Sequence, residues 1–176
     1  PATDGTAAVV DILKTRQKKS GIMEIDFCIV GEPSSKNQLG DVVRIGRRGS
    51  LNARIDIKGI QGHVAYPESI ENPIHGASRL INTLNTVDWD VRQNEAFPAT
   101  SFQVSKINAG AGANNIVPGT CNIDCNWRFS TSTSGNQIQS KVAEVLNQLG
   151  IKADIEWSLS GEPFLTRRGR LINAVT

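Results

Sequence analysis

Between Ser50 and Leu159 the apolar residues of this chain change period in a fixed order, and that order leaves few folds open. Leu51, Ala53, Ile55 and Ile57 alternate with Asn52, Arg54, Asp56 and Lys58. Cys121, Ile123, Cys125, Trp127 and Phe129 alternate with Asn122, Asp124, Asn126 and Arg128, and Ala153, Ile155, Trp157 and Leu159 repeat the pattern. Period two puts one face of a strand against a core and the other in water. Phe102 and Val104 mark a further strand that runs to the turn Ala109-Gly110-Ala111-Gly112. Two stretches have helical spacing instead: Ile74, Ala77, Leu80, Ile81 and Leu84, then Ile138, Val142, Val145, Leu146 and Leu149. Asn72 is placed to cap the first, with Pro73 at its first position. Ser134 and Gln137 have capping-box spacing before the second, and Gly150 stops it. The order is βαββαβ. Its economical packing is a four-stranded antiparallel sheet with both helices on one face, the ferredoxin-like arrangement.

The flanking residues read differently. Asp4-Gly5-Thr6 opens a helix with the stripe Ala8, Val9, Ile12 and Leu13. Ile25 to Val30 is a continuous apolar run broken only by Asp26, the pattern of a strand buried in a parallel sheet, and Glu32 falls just past its carboxyl end. Open α/β sheets collect ligands there. Leu39 to Ile45 is a second strand or a connection, and the chain turns back toward helix from Leu165. The expected organisation is α/β pieces at 1–47 and 162–176 around an inserted ferredoxin-like domain at 48–161.

The 19 basic and 17 acidic side chains give a net charge of +2, too small to point to nucleic acid, and Arg167-Arg168-Gly169-Arg170 reads as a solvated basic turn. No apolar run approaches the ~20 residues of a membrane span. The chain shows no signal peptide and starts at Pro1 rather than methionine, which reads as a processed or truncated start. Cys28, Cys121 and Cys125 include no CxxC pair. Along a strand, Cys121 and Cys125 stand about 13 Å apart, too far for an unstrained disulfide. All three are expected as reduced core cysteines of a cytoplasmic protein. Gly110-Ala111-Gly112 lacks a phosphate-loop lysine and reads as a turn presenting Asn114 and Asn115.

Two motifs suit hydrolytic chemistry: Gly31-Glu32-Pro33-Ser34-Ser35 and Gly62-His63-Val64-Ala65-Tyr66-Pro67. On local sequence Glu32 is either a metal ligand or a turn residue. His63 is either a hydrogen-bond donor to a developing oxyanion or a capped loop histidine. His75 reads as packing or capping. Arg47 and Arg128 are either surface charges or carboxylate receptors, arginine's planar fork being suited to bidentate binding.

Taken in register with Gly46-Arg47-Arg48-Gly49-Ser50, Asn72-Pro73-Ile74-His75, Phe97-Pro98-Ala99-Thr100-Ser101-Phe102-Gln103, Asn114-Asn115-Ile116-Val117-Pro118-Gly119, Arg128-Phe129-Ser130-Thr131 and Leu159 to Thr166, these motifs resemble the di-zinc aminoacylase and carboxypeptidase family. The resemblance implies a catalytic α/β domain holding two zinc ions, with cobalt as a possible substitute, and a ferredoxin-like insert that makes a homodimer. It implies that Glu32 is a zinc ligand and that His63 acts in the partner's active site on the scissile carbonyl oxygen. Arg47, Asn115 and Arg128 would engage or position the substrate. The implied reaction is hydrolysis of N-succinyl-LL-2,6-diaminopimelate to succinate and LL-2,6-diaminopimelate, in lysine and diaminopimelate biosynthesis. The family's other metal-binding residues and its catalytic glutamate have no counterpart, so the chain reads as the middle of such an enzyme, inactive and without stoichiometric zinc by itself. The alternatives are a related acylase, such as a deacetylase of acetylornithine, and a standalone ferredoxin-like module that dimerises or binds an amino acid.

Overall fold

Leu51, Ala53, Ile55 and Ile57 lie on one face of strand β2 (Gly49–Lys58) and are each buried to within a few per cent of full burial, while Arg54 and Lys58 on the other face are exposed. The computed structural model describes residues 5–20, 27–31, 33–90 and 94–175, and its contacts fall into two units, Arg44–Arg167 and Pro1–Val43 with Arg168–Thr176.

The larger unit contains β1 (Gly46–Arg47), β2, β3 (Gly62–His63), β4 (Ser101–Ala109), β5 (Ile116–Val117), β6 (Thr120–Phe129), β7 (Ala153–Gly161) and β8 (Phe164–Leu165). The four long strands form one antiparallel sheet in the order β4-β6-β2-β7. With helices α2 (Pro73–Asn85) and α3 (Gly135–Leu149) joining them, this is the ferredoxin-like order expected from the periodicities. The two central strands pair without interruption from Gly49–Phe129 to Lys58–Thr120.

Both helices lay their stripes on the same sheet face, and Leu80, Leu84, Ile138 and Val142 share one core with Ile55, Ile123 and Trp127. At the centre of that core, Trp127 meets Phe102 at 4.9 Å, Trp157 at 5.5 Å and Trp89 edge-on at 5.6 Å between ring centroids. The helix ends form as their sequences dictate. Asn72 Oδ1 accepts from the Ile74 N–H at 2.9 Å, and Ser134 Oγ accepts from the Gln137 N–H at 3.3 Å while donating to Gln137 Oε1 at 3.0 Å. Gly150 closes α3 in the left-handed region at φ 65°. The other sheet face is a polar lattice. Asn126 Nδ2 donates to Ser50 Oγ and Asn52 Oδ1, and Asn122 Nδ2 donates to Asp56 at 2.5 Å. That bond from Asn122, helped by Arg54, holds the Asp56 carboxyl below its usual range.

The smaller unit departs from expectation. Helix α1 (Gly5–Ser20) forms, but Val9 and Ile12 on its stripe are more than half exposed. Of the strand expected at Ile25–Val30, Ile25 and Asp26 lie outside the described residues, and Phe27–Val30 form no strand. A parallel-sheet strand needs neighbours to take up its N–H and C=O groups, and no described strand pairs with this one. Cys28 is therefore exposed rather than a core residue, whereas Cys121 and Cys125 are buried as expected. Residues 39–45 are the connection rather than a strand. There the Asp41 carboxylate accepts from the backbone N–H groups of Lys36, Asn37 and Gln38, which holds its carboxyl below the usual range. Helix α4 (Arg170–Val175) follows, with the Arg170 guanidinium 5.7 Å from the centre of the Phe27 ring.

Candidate functional site

Past the Lys58–Thr120 pair the two central strands do not separate. The Gly59 N–H donates to the Gly119 carbonyl at 2.8 Å, and the chains pair again as β3 and β5, with Gly62 opposite Val117 and His63 opposite Ile116. The segment then doubles back through a short 3-10 turn at Pro67–Ser69 to an isolated bridge between Ile60 and Glu71, just before the Asn72 cap of α2. Gly62 is required here, because a β-carbon at that position would overlap the Ile70 side chain. A strand pair thus delivers His63 to the end of the sheet, and a turn pinned to a capped helix backs it.

Three neighbours define the His63 ring. The Ala65 N–H donates to Nδ1 at 3.1 Å, the Asn115 carboxamide lies 3.2 Å from Nε2, and the Tyr66 ring is tilted against it at 5.8 Å. The Val64 N–H donates to the Asn115 carbonyl at 3.0 Å, so one ladder carries both side chains. Both residues are exposed. Sequence patterns separate His63 from Asn115 by 52 positions and give no sign that they touch.

Arg47 and Arg128 lie at the other end. Arg128 pairs across the ladder with Ser50, whose opposite neighbour is Gly161. The Arg47 guanidinium lies over Gly161, so closely that a β-carbon there would stand 2.5 Å from Nη2. Both arginines are exposed. From Ser50 to Lys58 the central strand takes eight residue steps, roughly 26 Å at strand rise. Within one copy, the structure brings His63 together with Asn115 and puts Arg47 and Arg128 at the other end of the sheet, the length of the sheet away. Gly161 and the Ala65 amide are site features that sequence reasoning missed. A glycine after a strand reads as a stop, and a backbone N–H leaves no mark on composition.

The remaining expected residues supply less. Glu32 lies outside the described residues. His75 is exposed on α2 and forms no cluster. Among the described residues no three His, Cys, Asp or Glu side chains gather in a way that could hold a metal ion, so these residues do not make up a zinc centre. Burial pushes the Cys125 thiol up to about 12 and raises that of Cys121, so neither is a nucleophile at neutral pH. No described helix is long and apolar enough to cross a membrane.

Comparison with known proteins extends the picture. Succinyl-diaminopimelate desuccinylase of Acinetobacter baylyi is 51% identical over 176 residues, covering 100% of this chain, and that of Alkalilimnicola ehrlichii is 49% identical over 174 residues, covering 99%. The chain spans about 45% of the length of each. Among solved structures, a tripeptidase from Staphylococcus aureus superposes with a TM-score of 0.57 over 74% of this chain and 34% of its own, at 18% identity, a likeness of fold. The family model for the peptidase dimerisation domain matches residues 45–154, more than half of the sequence and the sheet unit up to the start of β7. The chain belongs to the peptidase dimerisation domain family.

Proposed function

We propose that this chain serves the hydrolysis of N-succinyl-LL-2,6-diaminopimelate to succinate and LL-2,6-diaminopimelate, as the self-associating part of a metal-dependent amide hydrolase of lysine and diaminopimelate biosynthesis. Relatives about half identical over the whole chain carry that name, which supports the substrate. The observation that carries the arrangement is the division of the candidate residues between opposite ends of one sheet. A small substrate touching His63 and Asn115 of one copy is out of reach of that copy's Arg47 and Arg128. Two copies bring both groups to one substrate if each lends its His63 end to the other's arginine end, and a symmetric dimer does this at both sites at once.

The roles follow from the side chains. The substrate carries several carboxylates, which suit the guanidinium forks of Arg47 and Arg128. Attack on an amide carbonyl throws negative charge onto its oxygen, and an imidazole N–H from His63 meets that charge without a proton leaving the ring. Zinc, with cobalt as a substitute, is the metal of this proposal, and Glu32 is the donor this chain would lend it; a bound metal of this kind makes a nucleophilic water available at neutral pH. Three free thiols fit a cytoplasmic location, where glutathione keeps cysteines reduced. The partners are a second copy of the chain and a small molecule, with neither nucleic acid nor membrane.

The test is turnover of N-succinyl-LL-2,6-diaminopimelate by the whole protein. His63→Ala should lower kcat on the order of 100- to 1000-fold, the usual effect of removing one oxyanion donor, with bound metal unchanged. Near-normal turnover in that variant would refute the role, and no turnover of this substrate by the parent protein would refute the substrate.

A further inference from the structure

The two nitrogens of the His63 ring face two different amides. A backbone N–H can only donate, and the Ala65 N–H donates to Nδ1 at 3.1 Å. A ring nitrogen that accepts carries no hydrogen, so the neutral ring holds its hydrogen on Nε2. The Asn115 Nδ2 lies 3.2 Å from Nε2. Two N–H donors do not pair, and the two ends of a carboxamide share one shape and are told apart by their partners, so a ring that carries its hydrogen on Nε2 assigns the amide oxygen to this position. The carboxamide is held there by the Val64–Asn115 backbone bond and by the pairing of His63 with Ile116.

We propose that the Ala65 N–H and the Asn115 Oδ1 together fix His63 as its Nε2–H tautomer, which makes Asn115 a positioning residue as well as a neighbour of the substrate. This rests on the proposed role of His63 as a donor toward the scissile carbonyl and defines that role further. A ring held in this way donates from Nε2 and takes no proton there, so it stabilises charge and does not act as a general base. The Asn115 oxygen occupies the donor until a substrate carbonyl replaces it.

The chain has two histidines, so isotope-labelled imidazole nitrogens give a spectrum that a His75→Gln variant assigns completely. His75, exposed on α2, is the internal reference. With the ring neutral, His63 should show an unprotonated Nδ1 and a protonated Nε2. Each hydrogen bond should bias the tautomer ratio roughly two- to tenfold. Asn115→Asp keeps an oxygen acceptor and should keep this pattern. Asn115→Leu removes the acceptor and should let the two tautomers mix. A protonated Nδ1 in the parent chain, or a mixture like that of His75, overturns the proposal, as does an Asn115→Leu spectrum identical to the parent's. The readout needs no activity. A fixed Nε2–H tautomer together with normal hydrolysis by His63→Ala would remove the catalytic role and leave the tautomer standing, whereas a mixed tautomer in a protein that depends on His63 would do the reverse.

Discussion

The Arg47 guanidinium lies across Gly161, and in the role proposed for Arg47 that contact makes the glycine part of a carboxylate receptor. A β-carbon at 161 would force the guanidinium aside, although the backbone there can accept one, since φ at Gly161 is not positive. Gly161→Ala should therefore raise KM for the dicarboxylic substrate several-fold and change kcat and melting temperature little. Arg47→Ala should cost more, about ten- to a hundredfold in kcat/KM, as expected for a charge-assisted hydrogen bond. Equal kinetics in the parent and Gly161→Ala proteins would show that Arg47 does not depend on where the glycine lets it lie. Arginine was legible as a candidate because its chemistry is carried by one side chain. The glycine was not, because its contribution is empty space that only a neighbour from another strand defines.

Elements were legible to the degree that their causes are local. The caps of α2 and α3 rest on residues two or three positions apart, and both formed as spelled out. The alternating strands were legible because the helices that cover their apolar faces belong to the same stretch of chain. The run around Phe27–Val30 has the composition of a buried strand, yet strand formation is a property of its neighbours, and none is present among the described residues. The same distinction orders the expected effects of substitution. Asn72→Ala removes the acceptor for the Ile74 N–H and should cost about 1 kcal/mol of stability, readable as a lower denaturant midpoint at unchanged slope. Asn72→Asp or Asn72→Ser should restore most of it. Because α2 begins where the His63 turn is bridged by Ile60 and Glu71, the cap also anchors the backing of that turn. A loss no smaller in Asn72→Ser than in Asn72→Ala would place the residue's importance outside its cap.

At the scale of the molecule the question is whether a sheet can hold one active site at both of its ends. Within a copy it does not, since roughly 26 Å of strand separates the arginine end from the imidazole end. Two copies solve the geometry only if each active site takes one end from each, and this has a consequence that single variants do not reveal. In the proposed arrangement His63→Ala would damage the site that a subunit visits, whereas Arg128→Ala would damage the site that it houses. Homodimers of either variant have two broken sites. In a heterodimer of the two, isolated with a different affinity tag on each subunit, both lesions fall on the same site and the other is intact. The whole protein in that form should recover about half of the parent's turnover per dimer, a restoration that symmetry alone dictates. If His63 and Arg128 of the same copy served one site, every site in the heterodimer would carry one lesion and mixing would restore nothing. A protein purely for self-association would give no turnover in any combination, parent included. The heterodimer measurement therefore separates a site shared between copies from a site within one copy, using two residues whose distance along the sheet already argues for the first.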